Sequence, residues 1–400
     1  MAKFMKKVLP SGFTIIQEKR DVPVVSLMLA TRFGSAFESE KEKGIAHFLE
    51  HMCFKGTKKR DARKISEEIE GIGGILNAFT HEETTAYHTK IPSKYWKNAA
   101  DVIFDIFFNP IFPEEEIKKE AQVVCEEIKM YKDSPQYFVL NKIKEALYNK
   151  PFGLPISGNK ENVLSFNRKK LLEVHENFYT SENSVLVIVG DVSFEDVLSF
   201  VEKNLPKDRK NKFKRIIKAE KKNEKLFFKR KELTQTNLSI GFHFPLSNEK
   251  ESYAAKVFNS ILGEGMSSKL FLEVREKRGL AYAIKSDIDI GKNYSYLYIY
   301  AGTDKQKKDE VVNVSLEEFS KLSDLTEEEL EKAKEKVIGN FLLESEDSLN
   351  AATNLLMFEI TKKAEDFYSF EENIKKVSLE EIKTLAQKKD YSLVVLEPEN

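Results

Sequence analysis

The sequence predicts an α+β fold made twice over: two duplicated domains, each an antiparallel-rich sheet covered by helices on one face, joined by a charged linker. Three observations carry this. Short apolar runs of strand length alternate with amphipathic segments of helical period along the chain. A stretch dominated by Lys, Arg, Glu and Asn, residues 207–225, breaks the pattern and reads as a solvated linker between domains at 1–206 and 226–400. The second half then repeats the element order of the first. Leu238–Phe244 corresponds to Val25–Phe33, Tyr253–Leu262 to Gly44–Phe54, and the acidic helix start Leu325–Leu330 to Phe112–Ile117.

In chain order, Phe13–Gln17 and Val24–Thr31 are strands, the second apolar at nearly every position and so buried. Lys41–Phe54 and Asp61–Glu70 are helical, the latter stopped by Gly71, Gly73 and Gly74. Thr84–Ile91 is a strand, after which Pro92-Ser93 opens a helix through Phe108. Pro113 opens a long helix with Glu114, Glu115 and Glu116 in its first turn, where acids complement the positive helix end. Ile117, Ala121, Val124, Ile128 and Tyr131 form its apolar stripe. Val185–Val189 is a short buried strand ending at Gly190-Asp191.

Composition excludes several function classes. Lys and Arg number 64 against 65 Asp and Glu, without the clustered positive excess that nucleic acid or an acidic membrane surface selects. Cys53 and Cys125 are the only cysteines, too few for a disulfide framework or a four-thiolate zinc site. Apolar stretches such as Val24–Ala30 are too short to span a bilayer, and Met1–Lys7 has no apolar core behind it before Pro10. The expected setting is cytoplasmic.

His47-Phe48-Leu49-Glu50-His51 carries the chemistry. Residues four apart on a helix lie on one face a turn apart, so both imidazoles reach one metal ion. Glu50 points to the same side without being obliged to ligate, leaving a carboxylate to take a proton from water. This is the reversed zinc-peptidase motif His-x-x-Glu-His. A catalytic zinc usually takes three protein ligands, and the long helix from Pro113 offers acids beside its apolar stripe. An acid there is costly unless paired or metal-bound. Glu127 is the expected third ligand, Glu120 the acceptor that orients a histidine, and Glu126, rotated about 100° away, the excluded neighbour.

The motif at 47–51, this acidic partner and the duplicated halves resemble the pitrilysin-type metallopeptidases, the inverzincins, and within them the bacterial homologues of mitochondrial processing peptidase. Phe54-Lys55-Gly56-Thr57, Gly73-Gly74 leading to Asn77-Ala78-Phe79-Thr80, and Pro151-Phe152-Gly153 through Gly158 match as well. The resemblance implies a zinc endopeptidase acting on peptides or unfolded segments, with Glu50 as general base. It implies that Asn77, Ala78, Phe79 and Thr80 form an exposed edge strand beside the zinc, whose main chain holds an extended substrate. Phe79 is then an apolar wall of the site or, in the competing reading, a core aromatic. In the second half Arg275 and Tyr282 resemble the family's substrate-clamping pair, which holds the carbonyl and steadies the oxyanion; Arg278 competes with Arg275. Relatives of this chain length close two chains like a clamshell, so a homodimer with the clamp supplied in trans is expected.

The repeat also says where chemistry is absent. Lys256, Asn259 and Ser260 stand opposite His47, Glu50 and His51, and Asn340 stands opposite Glu127. An ammonium cannot ligate a metal, so one zinc per chain is expected. His81 and His88, on or near the edge strand, are read as packing or surface residues, with substrate contact the competing reading; His175 and His243 have no metal-spaced partners, and both cysteines read as buried thiols. Two other readings stay open: a catalytically silent assembly subunit, disfavoured by the intact ligands and Glu50, and a non-peptidase zinc hydrolase, disfavoured by the peptide-like edge strand.

Overall fold

The structure, a computed structural model, describes residues 3–206, 217 and 219–399, so most of the expected linker 207–225 lies outside the described residues. The first part of the chain runs β1 (Lys3–Val8), β2 (Thr14–Lys19), β3 (Val24–Thr31), α1 (Ile45–Cys53), α2 (Ala62–Glu70), β4 (Ile75–Thr80) and β5 (Thr85–Pro92). Then come α3 (Trp96–Phe108), α4 (Glu114–Asp133), α5 (Pro135–Leu147), α6 (Lys160–Ser165), α7 (Arg168–Phe178), β6 (Ser184–Gly190) and α8 (Phe194–Asn204). The remainder comprises β7 (Lys225–Arg230), β8 (Thr236–His243), α9 (Ser252–Leu262), β9 (Ala281–Ile290), β10 (Ser295–Thr303), α10 (Lys308–Lys321) and α11 (Glu327–Glu346). It ends with α12 (Ser348–Thr361), α13 (Phe370–Lys375), α14 (Leu379–Ala386) and β11 (Ser392–Pro398).

The duplication is written in the two sheets. One has the order β1-β2-β6-β3-β5-β4 and the other β7-β11-β8-β10-β9. In each, a single parallel pair, β2 with β6 or β7 with β11, sits in an otherwise antiparallel array. Laid over each other, β3 matches β8, β6 matches β11, and the edge strand β4 matches the edge strand β9.

The compact units are not contiguous in sequence. The first comprises Met1–Ile128, Pro155–Ile217 and Leu343–Phe367; the second comprises Lys129–Leu154, Lys218–Leu342 and Tyr368–Asn400. They differ from the expected division at 1–206 and 226–400 because each half of the chain gives one helix to the other half's sheet. Helix α12 packs on β3 and β6, and α5 packs on the matching strands β8 and β11. This explains why β3 is apolar at almost every position. Val25, Leu27 and Leu29 enter the core with Phe48, Leu49, Ile103 and Phe107 from α1 and α3. Ser26, Met28 and Ala30, on the opposite face, are equally buried, and Ser26 Oγ lies 2.9 Å from Ser348 Oγ of α12. Among the described residues no helix is long and apolar enough to cross a membrane.

Within the first unit α12 is pinned at both ends. Asp347 caps its start, accepting from Leu349 N at 2.8 Å and Asn350 N at 3.1 Å, and takes Lys90 Nζ at 2.5 Å. Further along, Glu359 accepts from Lys6 at 2.7 Å and Arg32 at 2.9 Å. Asp347→Ala should cost about 1–2 kcal/mol in chemical denaturation, mostly through the lost cap, since the half-exposed ion pair is screened. The Lys90 ammonium holds the Asp347 carboxyl below its ordinary value of 3.8. The folded value being the lower one, this contribution is present above the unfolded pKa and lost as pH falls through the folded one. The stability gap between wild type and Asp347→Ala should therefore close in acid.

Candidate metal centre

Helix α1 was expected from Lys41 but starts at Ile45, because Gly44 takes a left-handed φ of 101° and breaks it from the preceding turn. The crossing with the 155–158 segment is too close for side chains. A Cβ on Gly44 would lie 2.8 Å from Ser157 O, and one on Gly158, itself at φ 73°, 2.2 Å from Lys43 O. The free N–H groups of the first turn are met by a buried carboxylate. Glu38 accepts from Gly44 N at 3.0 Å and Ala46 N at 2.7 Å, with the fully buried Lys43 ammonium 3.6 Å away. Burial pushes the Glu38 carboxyl up to about 7, while Lys43 and the two N–H groups pull it down. Ile45, Phe48, Leu49 and Met52 turn into the core, leaving His47, Glu50 and His51 on the opposite, half-buried face.

Helix α4 supplies the acids. Its buried stripe, Ile117, Ala121, Val124 and Ile128, seats Glu120 in the interior and Glu127 at its margin, while Glu126 is exposed and takes no part. His47 Nε2 and His51 Nε2 each lie 3.7 Å from the same Glu127 Oε2. That is too long for hydrogen bonds, so three donor atoms converge within 4.8 Å without bonding one another. Two imidazoles and a carboxylate so placed are a donor set suited to zinc. His51 Nδ1 lies 2.8 Å from Glu120 Oε1. A carboxylate only accepts, so Nδ1 carries the hydrogen and the Nε2 lone pair is left for a metal. Lys55 Nζ, 2.6 Å from Glu120 Oε2, holds the other oxygen.

The electrostatics set the two imidazoles apart. Burial, helped by neighbouring His51, lowers His47 to about 4, so its imidazole is neutral and free to ligate. Burial would also lower His51, but the Glu120 bond and the charges of Glu50, Glu120 and Glu127 outweigh it and raise it. Burial opposes ionisation of Glu120 too, yet its bonds to His51 and Lys55 win and its carboxyl is held low. Glu50 is raised, chiefly by burial, as suits a proton acceptor.

Of the expected site residues, His47, Glu50, His51, Glu120, Glu127 and Thr80 come together in the first unit. Among the described strands β4 is the sheet edge, pairing only with β5, as expected for Asn77–Thr80. Ala78 points toward the core, and Thr80 on the same face reaches α1, donating to Glu50 Oε2 at 2.5 Å. Phe79 is not in the core: its ring lies on the other face, 5.0 Å from His81 and 6.1 Å from His88, so both histidines pack rather than ligate. Asn77 Oδ1 accepts from Ala78 N at 2.8 Å.

Arg275 and Tyr282 lie in the second unit. Arg275 sits on a π-helical turn, Phe271–Lys277, its guanidinium 4.7 Å from the Phe271 ring and 5.1 Å from the Tyr282 ring. Both line a cavity of about 330 Å³ with Gln235 and Lys307, and Tyr282 is 78% exposed. Arg278 is instead tied to Glu273 at 2.7 Å. Where the first unit gathers metal donors, the second has Lys336 donating to Ser260 O and Glu264 O, and Asn340 Nδ2 donating to Glu264 Oε1 at 3.1 Å. His175 and His243 bond the carbonyls of Phe107 and Lys222. The free thiols are buried, and burial pushes Cys53 up to about 12.

Sequence reasoning assigned no role to Glu38, Lys43 or Lys55. Lys55 lay inside the matched Phe54–Thr57 stretch and Lys43 inside the expected helix Lys41–Phe54, whereas Glu38 fell outside every expected element.

The family model described as Insulinase (Peptidase family M16) matches residues 14–160, and the one described as Peptidase M16 inactive domain matches residues 165–337. A Bacillus subtilis protein named an uncharacterized zinc protease is 34% identical over 396 residues, covering 96% of this chain and 95% of its own. A Rickettsia felis protein of like name is 34% identical over 342 residues, covering 84% and 83%. Among solved structures, a protease from Helicobacter pylori superposes with a TM-score of 0.91 at 22% identity, covering 99% of this chain and all of that one. A peptidase M16 inactive domain from Pseudomonas fluorescens gives 0.88 at 19% identity, covering 100% and 98%. At these identities the solved structures speak to the fold alone.

Zinc titration monitored by elemental analysis tests the donor set. His47→Ala, His51→Ala and Glu127→Ala should each abolish stoichiometric binding. Glu120→Gln should weaken it about 10–100-fold, and Glu126→Ala should leave it unchanged.

Proposed function

From the chain's membership of the M16, pitrilysin-type, peptidase family, we propose that it is a zinc-dependent endopeptidase hydrolysing peptides or unfolded segments, with one zinc per chain. The observation that carries this reading is the convergence of His47, His51 and Glu127, with Glu50 outside that group and held by Thr80. Zinc bound by these three side chains supplies a Lewis acid that makes water nucleophilic at neutral pH. Glu50 accepts the proton of the attacking water on its carboxylate as the water oxygen bonds the peptide carbonyl carbon. It then gives that proton to the amide nitrogen as the C–N bond breaks, leaving a carboxylic acid and an amine. The β4 edge holds the substrate backbone, and Arg275 and Tyr282 hold the carbonyl oxygen.

We place the clamp in trans, in a clamshell homodimer working in the cytoplasm. Tyr282, a large ring left 78% exposed beside a stacked guanidinium, supports a clamp that waits for its substrate.

Glu50→Gln should retain zinc and lose about 10²–10⁴-fold in kcat on a flexible fluorogenic peptide, and chelation should abolish cleavage reversibly. Mixing Glu50→Gln chains with Arg275→Ala chains should restore about a quarter of wild-type activity, one working site in each mixed dimer. No recovery contradicts the trans clamp. Stoichiometric zinc with no peptide cleavage by wild type replaces the peptidase reading with a silent assembly subunit or a non-peptidase hydrolase.

A further inference from the structure

Thr80 ends β4, and its Oγ1 lies 2.5 Å from Glu50 Oε2. An ionised carboxylate has no hydrogen to give, so Thr80 donates and Glu50 Oε2 accepts. Thr85 Oγ1, the other acceptor within reach of the Thr80 hydroxyl, lies farther off at 3.5 Å and donates its own hydrogen to Phe33 O at 2.9 Å. Thr80 and Glu50 also hang from one short segment. Glu38 holds the first turn of α1, which carries Glu50. Ser35 N and Ala36 N donate to His81 O at 3.0 Å and Glu82 O at 2.8 Å, in the turn that follows Thr80. Ser35 Oγ adds a bond to the Glu82 carboxylate at 2.5 Å.

We propose that Thr80 is a positioning residue for the general base, its hydroxyl fixing the Glu50 carboxylate relative to the strand on which the peptide docks. The proposal rests on Glu50 acting as that base. A glutamate side chain left unbonded samples several rotamers, and a displacement of about 1 Å at a reacting group can cost 10²-fold in rate. Because β4 is the free edge, the strand that takes the substrate backbone is the strand that holds the base, so one element registers both. The hydroxyl is used on Glu50, and the main chain of Thr80 is left for the substrate contact expected of it.

The test uses the full, zinc-loaded chain and a fluorogenic peptide. Thr80→Val should lower kcat about 10–100-fold with KM within about twofold, and with wild-type zinc content and thermal midpoint. Thr80→Ala should show the same loss, and Thr80→Ser, which keeps the donor, should stay within about threefold of wild type. In a Glu50→Gln background Thr80→Val should cost nothing more, whereas a merely structural role would add its cost. Full-rate Thr80→Val, a Thr80→Ser as slow as Thr80→Val, or additive losses in the double variant each overturn the proposal alone. A wild type that cleaves no peptide overturns the peptidase reading, and the proposal with it.

Discussion

A carboxylate buried at the start of one short helix sets the geometry of everything that acts here. Glu38, paired with Lys43, meets the free N–H groups at the head of α1, where the left-handed Gly44 has just broken the chain. An ion pair in so dry a place is not a cheap source of stability, but removing one partner strands the other. What it provides is a fixed helix start, and with it the rotation and height at which His47, Glu50 and His51 present themselves to α4. The same 34–38 segment ties down the turn beyond β4. The helix that carries His47, Glu50 and His51 and the turn beyond the edge strand are thus held by one short segment.

The duplicated fold explains why one scaffold yields two different units. Each provides a helix pair over a sheet with a free edge strand. In the first unit the facing positions are two imidazoles and a carboxylate. In the second, Lys336 donates to the carbonyls of Ser260 and Glu264 at and beyond the end of α9, and Asn340 donates to the Glu264 carboxylate. That unit carries Arg275 on the π-helical turn before its edge strand and Tyr282 on the strand itself, the guanidinium 5.1 Å from the ring.

How much of this was legible in the sequence depends on the range of the interaction. His47, Glu50 and His51 could be read because a helix converts spacing into facing. Glu127 and Glu120 could be read because an acid beside an apolar stripe demands a partner. The helix exchange could not: the stripes of α5 and α12 say that each is covered, not by which sheet. Glu38 and Lys43 were hidden for another reason. They belong to a run of alternating charges, yet both are fully buried. The bond from Thr80 to Glu50 could not be read either, because it exists only once β4 lies against α1.

Helices α1 and α4 bring His47, His51 and Glu127 to one point, suited to a single zinc ion, while Glu50, held by Thr80, stands outside the group. Anomalous diffraction at the zinc edge from crystals of the zinc-loaded chain measures this directly. The account predicts one strong peak per chain, within bonding distance of both Nε2 atoms and a Glu127 oxygen, about 2.0–2.2 Å, with Glu50 outside that shell. A peak ligated by Glu50 or Glu120 in place of Glu127, or a second full-occupancy site in the other unit, would contradict it.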